Sequence, residues 1–477
     1  LQRDTASTGG WLLPPLTHHL FKYFWHLSVL NLRTRYAVKR FDSHGSELYE
    51  GKKGLLSLTI TRKIPEGRIT MYGASTRGKL IAISAATVAF AALTNTVCAQ
   101  SKYGPGASDT EIKIGNTMSY SGPNSAYAVL GKTFAAYFTK INDEGGINGR
   151  RINFISYDDA FNPAKTVEQT RRLVESDQVL LTFGSLGTAL QLAVIKYLNS
   201  KKVPQLFVMG GSSKWEDPKT YPWTTGMFTS YFSEGRVYAS YILKERPNAK
   251  IAIIYQNDDY GRDLLRGVQD GLGEKASMIV AVESYEITEP TMDTHVVKLK
   301  ASGADTFIDI TPPKFAAQVI RKMGEIGWKP YHIINSQSTS IGLVLQPAGL
   351  DYSQGIVSSA YSKDASDPRW AADPAVRDYE QFLKKYLPEV NKNDLIAVGA
   401  YNAAQTIVQV LKQCGNDLTR ENVMRQAESL KHFAPTLILP GITFNTSPTD
   451  HATLEDLQMV RFEGDRWVPF GGIVSGH

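Results

Sequence analysis

The sequence has 477 residues, 42% of them hydrophobic and 21% charged, with a formal net charge of +6. That length calls for two domains with cores of their own, and two cysteines, Cys98 and Cys414, exclude a small disulfide-stapled scaffold. The charge is uneven: residues 1–99 hold 13 Lys and Arg against 5 acids and residues 100–477 hold 39 against 41, so the main body has no basic excess that calls for nucleic acid or an anionic membrane.

Residues 1–70 mix Trp11, His18, His19 and Trp25 with scattered Arg and Lys and show no sustained period. They read as a non-native or upstream-translated extension, expected to be disordered; a basic interaction arm is the alternative. Residues 71–99 have the three parts of a secretory signal peptide. Arg77 and Lys79 give a positive start, residues 80–93 a fourteen-residue apolar run, and Val97-Cys98-Ala99 the small residues before a cut. A lipoprotein signal ending at Cys98 is the rival, but Asn95-Thr96-Val97 fits it poorly. Export to the periplasm follows, with the mature chain starting near Gln100. Cys414, at the end of an apolar helix, reads as a buried structural thiol.

The remaining chain alternates strand and helix signals. A strand over 112–118 leads into the loop Ser119-Tyr120-Ser121-Gly122-Pro123-Asn124. Tyr127, Leu130, Phe134, Phe138 and Ile141 then recur at helical spacing. Gly145-Gly146 and Asn148-Gly149 end that helix, and a strand over 152–157 closes on Asp158-Asp159. This is one βαβ unit, and parallel sheets of such units bind ligands beyond their strand C-termini. Further strands are expected over 179–183, 205–209, 251–255, 306–310 and 332–335, each feeding a small polar loop, with a closing hairpin at 457–462 and 466–470.

Ser121-Gly122-Pro123, Ile141-Asn142, Gly145-Gly146-Ile147 with Gly149, and Tyr157-Asp158-Asp159-Ala160 occur in an order and spacing that resembles the opening of the branched-chain amino-acid-binding proteins of bacterial ABC transporters. The resemblance implies an α/β fold of two Rossmann-like lobes, each a parallel sheet flanked by helices, joined by three crossover segments: the type I periplasmic binding protein. Carried onto this chain, lobe 1 spans 108–228 with 359–440 and lobe 2 spans 229–358 with 441–477, with crossovers near 227–230, 358–361 and 440–444. It also implies a monomer that closes on a small-molecule ligand and hands it to an inner-membrane ABC permease.

Enzyme and cofactor motifs do not gather. Gly131-Lys132-Thr133 lacks the glycine five residues earlier that a phosphate loop needs, since Ala126 stands there. No Gly-x-Ser-x-Gly elbow exists, and the histidines after residue 100 are not at metal-ligand spacing. No cofactor, metal or catalytic residue is expected, and Asp158-Asp159 at a strand end suits turn capping better than acid–base work. A secreted hydrolase and a ligand-sensing subunit on the same fold stay open as alternatives.

Loops rich in glycine, hydroxyls and aromatics suit a carboxylate, because backbone N–H groups and helix N-termini bind anions without a full counter-charge. The resemblance places the carboxylate grip on Ser185, Leu186, Gly187 and Thr188 and on Gly211, Ser212 and Ser213. It offers Tyr120, Trp215, Tyr231 and Tyr255 as covering aromatics, with Tyr260 weaker. Where amino-acid-binding members hold the ligand ammonium with acids, this chain reads Thr225-Gly226-Met227-Phe228-Thr229-Ser230 and Asn335-Ser336-Gln337-Ser338, with Gln337 at the expected acid. An enclosed ammonium without a counter-charge is costly. The expected ligand is therefore a carboxylate without an α-ammonium, an aromatic or other small organic acid. A branched-chain or other amino acid is the alternative, with Glu234 the acid that could replace the missing one.

Overall fold

The computed structural model describes residues 102–475 and, in a separate N-terminal unit, two paired two-residue strands, Arg40–Phe41 and Glu47–Leu48. The expected extension otherwise, and the whole expected export signal, lie outside the described residues.

The opening βαβ unit is built as its sequence demands. Strand β1 (Glu111–Met118) pairs in continuous parallel register with β2 (Arg151–Asp158), from Glu111 opposite Arg151 to Met118 opposite Asp158. Between them helix α1 (Ala128–Asp143) buries Leu130, Phe134, Phe138 and Ile141. Phe134 and Phe138 meet Phe183 and Phe154 with ring centroids 4.7 and 5.2 Å apart. Truncating the fully buried Phe134 to Ala would cost about 3–5 kcal/mol. The helix stops at Gly145 and Gly146, both at positive φ, with the Gly146 N–H donating to the Ile141 carbonyl.

Helix α2 (Pro163–Arg171), β3 (Leu181–Phe183), α3 (Thr188–Ser200), β4 (Gln205–Val208) and β5 (Thr224–Gly226) complete a five-stranded parallel sheet of order β2-β1-β3-β4-β5. The chain then enters α4 (Tyr231–Glu245), β6 (Ile251–Gln256), α5 (Asp259–Leu272), β7 (Ile279–Tyr285), α6 (Asp293–Ala301), β8 (Thr306–Ile310), α7 (Pro313–Glu325), β9 (Tyr331–Ile334) and β10 (Val357–Ala360). These strands order as β7-β6-β8-β9-β10, the same winding as the first sheet. The antiparallel pair β11 (Asp456–Glu463) and β12 (Arg466–Ser475) extends it to seven strands. In between, α8 (Pro374–Tyr386), α9 (Leu395–Cys414) and α10 (Arg420–Ala427) pack back onto the first half, with the Tyr401 ring 5.0 Å from that of Tyr137.

The chain therefore passes between the halves after β5, after β10 and before β11. The last passage lies later than expected: Ile442, Phe444 and Leu454 are buried in the core of the five-stranded half, and only at Asp456 does the chain join the other sheet. The apolar side chains at 442, 444 and 454 decide this. Cys414 is buried and unpaired, and burial pushes its thiol up to about 12. Among the described residues no helix is long and apolar enough to cross a membrane.

Candidate functional site

In each sheet the strand order reverses beside the first strand, between β1 and β3 and between β6 and β8. A crevice opens at such a switch point beyond the strand C-termini. The loops from both switch points line one cavity of about 90 Å³. Asn124 and Tyr127 follow β1, Gly187 and Thr188 follow β3, Asp258 and Tyr260 follow β6, and Pro312 follows β8. Residues at the first two passages, among them Phe228, Tyr231 and Tyr361, close its sides.

The cavity's electropositive feature is the start of α3. Gly187 precedes the helix at φ 92°, a conformation that favours glycine, and no side chain caps the terminus. The first N–H groups of a helix have no acceptor within it, so this end carries partial positive charge. The Thr188 hydroxyl stands at the same terminus, buried, with the Tyr231 hydroxyl as its polar neighbour. α7, whose Pro312 lines the cavity, also lacks a side-chain cap, whereas Ser230 caps α4 and Asp258 caps α5.

The walls are aromatic. Burial raises the phenols of Tyr127, Tyr231, Tyr260 and Tyr361, so all four stay protonated and can donate at neutral pH. Tyr231 and Tyr260 pack edge to face at 4.8 Å, and the Tyr260 hydroxyl is buried without a partner. Phe161 reaches the cavity from a turn in which Ala160 and Phe161 both take left-handed φ. Asp158 and Asp159 hold that turn. The Asp158 carboxylate accepts from the Ser121 and Ala160 N–H groups, and Asp159 from Phe161 N–H and the Ser119 and Thr166 hydroxyls. The pair therefore does the capping work expected of it.

Of the residues anticipated from sequence, Leu186, Gly187, Thr188, Tyr231 and Gln337 line the cavity. The other seven do not, each because its polar group or ring has another partner. Tyr120 lies over Gly131 of α1, where a Cβ would come within 2.2 Å of its hydroxyl, and it pairs with Ser156 at 2.7 Å. Ser185 accepts the Thr117 N–H. The Gly211 carbonyl accepts the Tyr231 N–H, and the Ser212 hydroxyl caps its own turn at Lys214. Ser213 gives its N–H and hydroxyl to the buried Asp263 of α5, at 2.9 and 3.2 Å, which ties the first half to the second. Trp215 is buried against Ile195 and Val208, and Tyr255 packs against the core beneath α4 and α5. Tyr260, ranked lower from sequence, does line the cavity.

The sequence reading missed one carboxylate. Asp258 lines the cavity, its oxygens accepting the Gly261 N–H at 3.1 Å and the Gln256 side-chain N–H at 2.5 Å, and burial raises its pKa. The Asp-Asp pair at 258–259 opening a helix was the available signal. Glu234 does not take that part: it is buried and accepts from the Tyr238 hydroxyl and the Ser336 N–H, and burial raises its pKa too. Among the described residues no group of three or more His, Cys, Asp or Glu could hold a metal.

The family described as "Periplasmic binding protein" matches residues 111–466. The chain belongs to the periplasmic binding protein family. Within it, the Leu/Ile/Val-binding protein homolog 7 of Brucella abortus (strain 2308) is 22% identical over 330 residues, 65% of this chain and 79% of that protein. A branched-chain amino acid ABC transporter protein from Thermus thermophilus with bound valine superposes at TM-score 0.71. It is 18% identical over 77% of this chain and 97% of its own. A solute-binding protein of an ABC transporter from Rhodopseudomonas palustris BisB5, in complex with 3,4-dihydroxybenzoic acid, superposes at 0.64, with 18% identity over 77% and 98%. The fold of this periplasmic binding protein is therefore the type I fold, with two wound sheets facing one cleft.

Proposed function

We propose that this protein is the periplasmic substrate-binding component of an ABC importer, and that its two halves close like a hinge on a small organic acid. The observation that carries the reading is the uncapped start of α3 at the cavity wall, with the Thr188 and Tyr231 hydroxyls beside it. That is a site for a carboxylate, held by N–H and O–H donors instead of a lysine or arginine. The aromatic walls and the small cavity suit a compact, flat ligand body, and an aromatic acid without an α-ammonium fits best. The chain works as a monomer that presents its closed form to an inner-membrane permease, without cofactor or catalysis.

Asp258 favours a second reading, an amino acid whose ammonium it would face. The structural neighbours leave room for both, since their ligands include valine and 3,4-dihydroxybenzoic acid. Thermal unfolding of the purified protein against aliphatic amino acids, aromatic acids and aliphatic acids separates them, because ligand bound only to the native state raises the melting temperature by mass action. Stabilisation by benzoate-like acids with leucine and valine silent is the expected result. The reverse pattern assigns Asp258 to an ammonium.

A further inference from the structure

Resting on the reading of α3 as the carboxylate grip, we infer that Tyr260 and Asp258 form a second polar subsite that takes a hydroxyl group on the body of the ligand. The ligand class is then a hydroxy-substituted acid. Two features of the first turn of α5 point there. The Tyr260 side chain is 7% exposed and lines the cavity, yet its hydroxyl has no partner. Buried polar groups in folded proteins are nearly all hydrogen-bonded, so an orphan at a cavity marks a partner that arrives with a ligand. Two residues earlier, Asp258 lines the same cavity; its carboxylate accepts from the Gly261 and Tyr260 N–H groups and the Gln256 side chain, three bonds where the two oxygens have room for four.

The two groups are complementary. Tyr260 stays a phenol and offers a proton, while Asp258 offers acceptors. A hydroxyl satisfies both at once, accepting from Tyr260 and donating to Asp258. An ammonium has only donors and would leave the Tyr260 proton without an acceptor. A bare aromatic ring would leave the Tyr260 hydroxyl unpaired and the remaining acceptor site of Asp258 unused, and sites built around a hydroxyl discriminate strongly against analogues that lack it. Both residues sit on the seven-stranded half and the α3 terminus on the five-stranded half, so a ligand bridging them ties the halves together.

Calorimetric titration of the full-length protein with benzoate, 3-hydroxybenzoate, 4-hydroxybenzoate and 4-(aminomethyl)benzoate tests this. At least one hydroxybenzoate is expected to bind about tenfold or more tightly than benzoate. In Tyr260→Phe, which keeps the ring against Tyr231, that ratio is expected to fall toward one. Asp258→Asn, which preserves a good helix cap, is expected to reduce it as well. Equal binding of benzoate and both hydroxybenzoates overturns the subsite and leaves the carboxylate grip standing, as does a preference that survives in Tyr260→Phe. Tightest binding of the aminomethyl compound overturns it in favour of an ammonium site. If no carboxylate of the set binds, both the subsite and the reading beneath it fail.

Discussion

Thr188 shows how a side chain can keep hydrogen-bonding capacity in reserve for a ligand. Its hydroxyl is buried at the head of α3 beside the Tyr231 hydroxyl, which also has the Gly211 backbone as a partner, so removing it leaves no buried group of the folded chain stranded. Thr188→Val, which keeps the shape, should therefore leave the melting temperature of the ligand-free protein unchanged or slightly raised. It should weaken binding of a carboxylate ligand about 10- to 100-fold, the usual worth of a hydrogen bond to a charged group. Ser185 is the contrast. It was anticipated alongside Thr188, yet its oxygen accepts the Thr117 N–H, so losing that hydroxyl strips a buried donor of its partner. Residue type and loop position read alike for the two in the sequence. What separates them is which neighbouring strand presents an unpaired N–H, and that is settled only when β1 and β3 come together. Asp258 escaped notice for a related reason: as the cap of α5 it had a sufficient local role, and only the meeting of the two halves gives it a second one.

Elements were more legible than side chains. The β1–α1–β2 unit could be read almost residue by residue, because Leu130, Phe134, Phe138 and Ile141 repeat at helical spacing between two strand runs. The short strand β10, whose interior residues are serines, carries no comparable signal; its place is fixed by pairing with β9 and β11. The α4–α5 packing is likewise a tertiary fact. These helices approach through glycines: a Cβ on Gly267 would lie 2.1 Å from the Phe232 carbonyl oxygen, and one on Gly235 would lie 2.4 Å from that of Leu264. Backbone cannot move aside as a flexible side chain can. Gly267→Ala is therefore expected to destabilise by about 1–3 kcal/mol despite the better helix propensity of alanine, seen as a lower melting temperature. A variant as stable as the parent would show that the helices separate cheaply. Because Asp258 caps α5 and Tyr260 lies in its first turn, the same change should also weaken ligand binding.

At the scale of the whole molecule, the half-buried Glu216 carboxyl lies beside Ser230, at the first segment that joins the halves. Burial, with the nearby Asp450 carboxylate adding repulsion, pushes the Glu216 carboxyl up to about 8. The native state then holds a proton that the unfolded chain releases near its ordinary pKa of about 4.5. The unfolded state binds fewer protons between these two values, so stability falls as pH rises from about 4.5 to about 8 and levels off above. Glu216→Gln should flatten that slope, raising the melting temperature at pH 8.5 by more than at pH 5. An equal effect at both pH values would place the proton elsewhere. The Ser213–Asp263 bonds belong to this scale too, since they cross from the first half to the second.

On the proposed function, closure centres on a carboxylate held at the head of α3. A crystal structure of the protein with its tightest-binding acid tests this most directly. A carboxylate oxygen is expected at about 3 Å from the Thr188 backbone nitrogen and hydroxyl, with the ligand body between Tyr231 and Tyr361. A ligand whose carboxylate lies away from α3 and out of reach of the Thr188 hydroxyl would contradict it.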